Sequence, residues 1–142
     1  MPLSYLIYHS RALLPPDPGF HNDILEACQR NNARLGVTGF LHREEDFFVQ
    51  YLEGEAEALE AILPRIKSDP RHSNFTVVAE GALVLRQLPD WQMGFVDGDQ
   101  LSLVELVGVE DGQIRIKSAD PMELVDFVVS NADRLCGAVM AA

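Results

Sequence analysis

The chain has 142 residues, 47% apolar and 23% charged, which suits one folded domain with a core and excludes a disordered or low-complexity chain. Its formal net charge of −11 excludes nucleic acid as a direct partner, because a phosphate backbone is bound by a surplus of Lys and Arg. No apolar run reaches the roughly 18 to 20 residues that cross a bilayer, and the N-terminus lacks a signal-peptide pattern, so a cytoplasmic protein without membrane contact is expected.

Leu3 to Ser10 is rich in strand formers and runs into Leu13-Leu14-Pro15-Pro16-Asp17-Pro18-Gly19, which predicts a first strand and then a loop. From about Phe20 to Asn32, the helical spacing of Ile24, Cys28 and Asn31 or Asn32 predicts a first helix. Val37 to His42 and Phe47 to Glu53 read as a hairpin joined by the acidic turn Arg43-Glu44-Glu45-Asp46. Glu55 to about Lys67 reads as a second helix with Ala58, Leu59, Ile62 and Ile66 as its apolar stripe. Pro64 lies inside it, removes a backbone donor and predicts a kink or an early end. Asn74 to Leu85, bent at Gly81, and Asp90 to Val96 complete five strands. The order βαββαββ predicts an α+β, ferredoxin-like fold: a five-stranded mixed sheet with two helices on one face.

Residues 98 to 117 leave a hairpin and a short helix both open around Asp111-Gly112. Asp120-Pro121-Met122-Glu123 is a helix start: Asp120 caps, Pro121 suits the first turn and Glu123 completes a capping box. That helix, about 121–137, carries a broad apolar face that should pack on the sheet or on a partner. The chain therefore divides into a domain over 1–97 and a C-terminal extension over 98–142.

Polar residues in apolar places mark the candidate site. Side chains alternate along a strand, so Phe48, Gln50 and Leu52 share one face of the third strand, and Leu6, Tyr8 and Ser10 share one face of the first. A buried amide or phenol without a partner costs on the order of 1–3 kcal/mol, so Gln50 and Tyr8 need partners. The plain reading of Gln50 is a core glutamine bonded to backbone. Asn31-Asn32 suits a left-handed helix C-cap. Arg65 to His72 concentrates cations in an acidic chain, either as a solvated surface with an Arg65–Asp69 ion pair or as a clamp for an anionic ligand.

The remaining chemistry-bearing residues point to no enzyme. His9, His21, His42 and His72 lack metal-ligand spacing, so no metal is expected. Cys28 and Cys136 read as buried hydrophobes rather than a disulfide, and Trp91 and Met93, two apart, as core. There is no nucleophile elbow or phosphate loop. An acylphosphatase-like hydrolase would need an arginine-lined loop after the first strand, where residues 11 to 19 supply only Arg11.

Five blocks in order then carry a family resemblance: Leu6-Ile7-Tyr8-His9-Ser10, Asn31-Asn32-Ala33-Arg34-Leu35-Gly36-Val37-Thr38-Gly39, Phe48-Val49-Gln50-Tyr51-Leu52-Glu53-Gly54, Arg65-Ile66-Lys67-Ser68-Asp69-Pro70-Arg71-His72 and Trp91-Gln92-Met93. Over about residues 3 to 97 the chain resembles the BLUF family, blue-light sensors that use FAD. The resemblance implies that the flavin ring lies between the two helices with Tyr8 and Gln50 at its reactive edge. It implies that Asn31, Asn32, Arg65, Asp69, Arg71 and His72 hold the cofactor, that Ile24, Phe48 and Leu52 wall it, and that Ser10, Trp91 and Met93 tune it.

By the same resemblance, light drives electron and proton transfer from Tyr8 through Gln50 and leaves their hydrogen bonds rearranged. The change passes to the fifth strand and the C-terminal segment, and then by contact to a signalling protein or a second copy of the chain in a homo-oligomer. Arg43 departs from the family pattern, standing where a tyrosine is common, as do the third strand, which opens without the usual glycine, and Pro64. The competing reading is a flavin-binding redox or regulatory module that does not use light.

Overall fold

The computed structural model describes residues 2–15, 18–89, 91–98, 101–104, 109–110, 113–114 and 120–131. Strand β1 (Leu3–Ala12) leads into helix α1 (Pro18–Leu35), the hairpin β2 (Thr38–Glu44) and β3 (Phe47–Glu55), and helix α2 (Ala56–Lys67). β4 (His72–Leu83) and β5 (Gln92–Asp97) follow, then the short pair β6 (Val109–Glu110) and β7 (Gln113–Ile114), and helix α3 (Pro121–Ser130). The β2–β3 connection is a two-residue turn in which Glu45 takes a left-handed φ of 50°, as tight hairpins require.

The sheet order is β4-β1-β3-β2-β5, antiparallel throughout except that β2 and β5 run parallel. This is the α+β arrangement expected, with β3 at the centre. Of the two alternatives left open for 98–117, a hairpin pairing is present, Val109 with Ile114 and Glu110 with Gln113, while Asp111 and Gly112 lie outside the described residues.

Period-two alternation divides the sheet into two buried faces. Leu6, Tyr8, Phe48 and Leu52 point to one, where Ile24 of α1 and Ala58, Leu59 and Ile62 of α2 cover them. Ile7, Val49 and Tyr51, the intervening residues, point to the other, where they cluster with Leu101, Leu103 and the α3 residues Leu124, Val125 and Val128. The Asp120 half of the expected capping box forms, Oδ1 accepting from Met122 N at 2.9 Å, while Glu123 returns no bond among the described residues. α3 ends at Ser130, where the cap residue Asn131 donates its N–H to Val128 O, short of the expected end at about 137; residues 132–137 lie outside those described.

One further expectation needs correction, the early end of the second helix. α2 does not stop at Pro64 but continues to Lys67, with Ser68 N bonded to Pro64 O. Pro64 and Glu60, one turn earlier, are both exposed, so the missing N–H falls on the wet side of the helix, where water can replace the lost bond. Trp91 and Met93 are both buried, as core residues should be, but on opposite faces: Trp91 packs in the α3-side cluster and Met93 in the α1/α2-side cluster. The pairing of β2 with β5 slips between Gly39 and Phe40, and Met93 has a φ of 66°, so a bulge breaks the alternation between the two residues.

Candidate functional site

Register alone brings the first two site residues together. Tyr8 on β1 lies directly opposite Gln50 on β3, and Leu41 on β2 lies opposite Gln50 from the other side. The Tyr8 hydroxyl donates to Gln50 Oε1 at 2.5 Å, with both residues almost wholly buried. That bond fixes which way the amide faces: Gln50 Nε2 is left to donate to two sulfurs, Met93 Sδ at 3.1 Å and, more weakly, Cys28 Sγ at 4.0 Å. Sulfur is a poor acceptor, so a buried amide donor here has no strong partner. Burial, with smaller contributions from Cys28 and Asp69, pushes the Tyr8 phenol well above its ordinary value. It is a neutral donor.

Two adjoining clefts open between α1 and α2 above this pair, of about 50 and 170 Å³. The first is lined by Tyr8, Ile24, Phe48, Gln50, Asp69, Arg71 and His72, and the second by Asn31, Asn32 and Arg65, among others. They share Cys28, Gln50, Ile66, Asp69 and Arg71, so they form one slot. Ile24, Cys28, Asn31 and Asn32 recur along one helical stripe, which is why α1 presents them together.

At the far wall, Arg71 grips Asp69 with its Nη2 2.6 Å from Oδ2 and its Nε 2.9 Å from Oδ1, while its backbone N also donates to Oδ1. Partial burial opposes the Asp69 charge, but these bonds outweigh it and hold the carboxyl below its usual range. The same bonds raise Arg71. The Arg65–Asp69 pair considered from sequence does not form. Asp69 lies beyond the C-cap Ser68, so the two are no longer one helical turn apart. Arg65 is therefore left beside the slot without a side-chain partner among the described residues.

His72 bridges β1 and α2. Ile66 O, 2.6 Å away, can only accept, so Nε2 carries a proton, and Nδ1 is hydrogen-bonded to Ser10 Oγ at 2.7 Å. The Tyr8 ring is tilted against Phe75 at 4.6 Å.

Nine of the residues singled out from sequence thus meet around one slot, together with Tyr8. Three of the others do not line it. Leu52 is wholly buried in the core of the same sheet face, Ser10 reaches it through His72, and Trp91 lies on the opposite face. Met93 touches it through its sulfur. The sequence reading missed Cys28 and Ile66 as wall residues, because an apolar helical stripe looks the same whether it meets a core or a ligand.

The slot's chemistry fits a flavin. It has apolar walls for a planar ring, and it offers donors with weak or no protein acceptors: the Gln50 amide on sulfur, and the Asn32 amide, 5% exposed and without a side-chain partner among the described residues. No helix among the described residues is long and apolar enough to cross a membrane, and none of their side chains cluster as metal ligands.

Comparison with known proteins agrees. The family model described as BLUF, sensors of blue-light using FAD, matches residues 3–94. The photoactivated adenylate cyclase subunit beta of Euglena longa is 34% identical over 93 residues, covering 64% of this chain and 11% of that protein. The chain thus spans about a tenth of the length of such curated relatives. Among solved structures, the dark state of the BLUF protein BlrB superposes with a TM-score of 0.75 at 27% identity, covering 92% of this chain and 97% of that one. BlrP1 of Klebsiella pneumoniae, in complex with manganese and cyclic diGMP, gives 0.67 at 26% identity over 94% of this chain and 34% of that one. With a phenol–amide pair at the slot and a family match over most of its length, this chain belongs to the BLUF family of blue-light sensors that use FAD.

Proposed function

We propose that Tyr8, Gln50 and Met93 form the light-operated switch of this sensor, and that Asn31, Asn32, Arg65, Asp69, Arg71 and His72, with Ile24 and Phe48, hold its FAD. The observation that carries the reading is the direction of one bond: Tyr8 donates to Gln50 Oε1 and leaves the amide N–H₂ against sulfur. Bound FAD supplies the absorption of blue light and, when excited, an acceptor for an electron and a proton.

Tyr8 is built to be the donor of both. Its phenol is kept neutral by burial, so its proton stays in place until it is drawn into the bond with Gln50. Gln50 is built to change state. Turning its amide over breaks the Tyr8 O–H···Oε1 bond and presents an N–H to the phenol oxygen in its place, while on the other side it gives up a weak N–H···S contact at Met93 and turns the amide oxygen that way. The Asp69–Arg71 pair sets the far wall and His72 braces β1 against α2, which keeps the slot's shape while the amide turns.

The output is a contact with a signalling protein or a second copy of the chain, in the cytoplasm, where Cys28 stays a free thiol. This chain acts as the sensor and leaves catalysis to what it touches.

The test is an absorption spectrum of the FAD-loaded protein before and after blue light. The native protein should show a reversible red shift, and Tyr8→Phe should keep its flavin and lose the shift. A Tyr8→Phe protein with the full reversible shift overturns the scheme. Bound flavin with no shift in the native protein favours a light-independent flavin module.

A further inference from the structure

On the sheet face away from the slot, β2 carries two polar residues that the flavin site does not use. Alternation places His42 and Glu44 on the side of Phe40, within the α3-side layer. His42 is wholly buried and lies opposite Val96 of β5 in register. Its Nδ1 meets Val96 O at 2.7 Å and its Nε2 meets Glu44 Oε1 at 3.0 Å. Both facing groups are acceptors, and the two bonds exist together only with a proton on each ring nitrogen.

Glu44 in turn holds the C-terminal segment. Its carboxylate accepts from the Ser102 hydroxyl, from Leu103 N at 2.8 Å and from Val104 N at 3.1 Å. One buried residue thus ties β5 to a carboxylate, and that carboxylate ties down the start of the segment after β5.

β5 is the element that a switch at Gln50 would move most easily. Among the described residues it is an edge strand paired only with β2, and it is bulged at Met93, the residue that accepts from Gln50. Val96, bonded to His42, is three residues further along the same strand.

We propose that His42 and Glu44 are positioning residues that relay a shift of β5 at Met93 to Ser102–Val104, making the packing of the start of the C-terminal segment light-regulated. The relay rests on the photoreceptor reading above. A shift of Val96 O withdraws the acceptor from His42, the ring turns with it, and Glu44 loosens its hold on the Leu103 and Val104 amides.

Amide hydrogen exchange of the FAD-loaded protein, dark and under blue light, tests this beside the absorption spectrum. In the native protein, light should speed exchange at Leu103 and Val104 about tenfold, the loss expected when a bond to a charged acceptor opens. Glu44→Gln should exchange fast at both positions in the dark and show no further change with light, while its reversible red shift stays intact. Ser102→Ala keeps the carboxylate and both amide bonds, so it should fold and show the same trend at roughly a third of the size.

A native protein with its red shift intact and no light effect at Leu103 or Val104 overturns the relay and leaves the photoreceptor reading standing. So does a Glu44→Gln protein that keeps the full light-minus-dark difference. Absence of the red shift from the native protein overturns both.

Discussion

Asn32 shows how a single side chain can be arranged for a ligand rather than for the fold. Its amide is 5% exposed, lines the slot and has no side-chain partner among the described residues, so it adds nothing to folding that an apolar residue would not. Asn32→Ala should therefore weaken FAD binding about tenfold, one hydrogen bond's worth, while the melting midpoint of the flavin-free protein holds or rises. A fall in that midpoint would show that the amide serves the fold. The same logic explains which site residues were legible in the sequence. Tyr8 and Gln50 stood out because each is polar at an apolar beat of a strand, and strand alternation leaves little freedom about which way they point. Cys28 and Ile66 sit at apolar beats of helices, where nothing in the pattern separates wall from core. Arg43 was legible only as a departure: it is buried over the Phe48 ring at 5.3 Å and donates to Leu14 O, fastening the loop after β1.

At the scale of elements, the irregular join between β2 and β5 decides what the slot contains. Gly39 pairs with Gln92, the register then slips, and Met93 turns inward with a positive φ while Trp91 faces the other layer. Gly39 makes the slip possible, with a φ of 152° and a backbone so close to β3 that a Cβ would lie 1.9 Å from Tyr51 O. Neither the dihedral nor the backbone oxygen can yield cheaply. Gly39→Ala should cost about 3 kcal/mol, the upper end for backbone strain, read as a lower urea midpoint. It should also diminish the light-induced red shift, because Met93 loses its place under Gln50. A variant with native midpoint and native spectrum would contradict this role. The sequence could not show the bulge, since two residues two apart on a strand look like neighbours on one face. The strands and helices themselves were legible because each carries a clean period, and α2 outlasted its proline because only its exposed side lost a bond.

Across the whole molecule, one sheet serves two layers. Gln50 belongs to the slot and its neighbours Val49 and Tyr51 to the α3-side layer, so the centre of β3 is a thin partition between sensing and output. The two halves are joined on that second face by Glu44, and this gives the assembly a dependence on acid. Burial opposes the Glu44 charge, but hydrogen bonds from His42, Ser102 and Val104 N–H overcome it and lower the carboxyl from its ordinary 4.5 to about 2. Because the folded value lies below the unfolded one, the clamp contributes its full stability above pH 4.5 and loses it progressively as the pH falls toward 2. The melting temperature of the native protein should exceed that of Glu44→Gln by a constant margin at neutral pH. That margin should shrink below pH 4.5 and vanish only below pH 2, where the native carboxyl is protonated and resembles the amide. The Asp69–Arg71 pair is present in both proteins and cancels from the difference, so the comparison isolates the clamp. A margin that stays constant down to pH 2 would mean that Glu44 supports the fold by shape alone, and that the charge joining the two layers lies elsewhere.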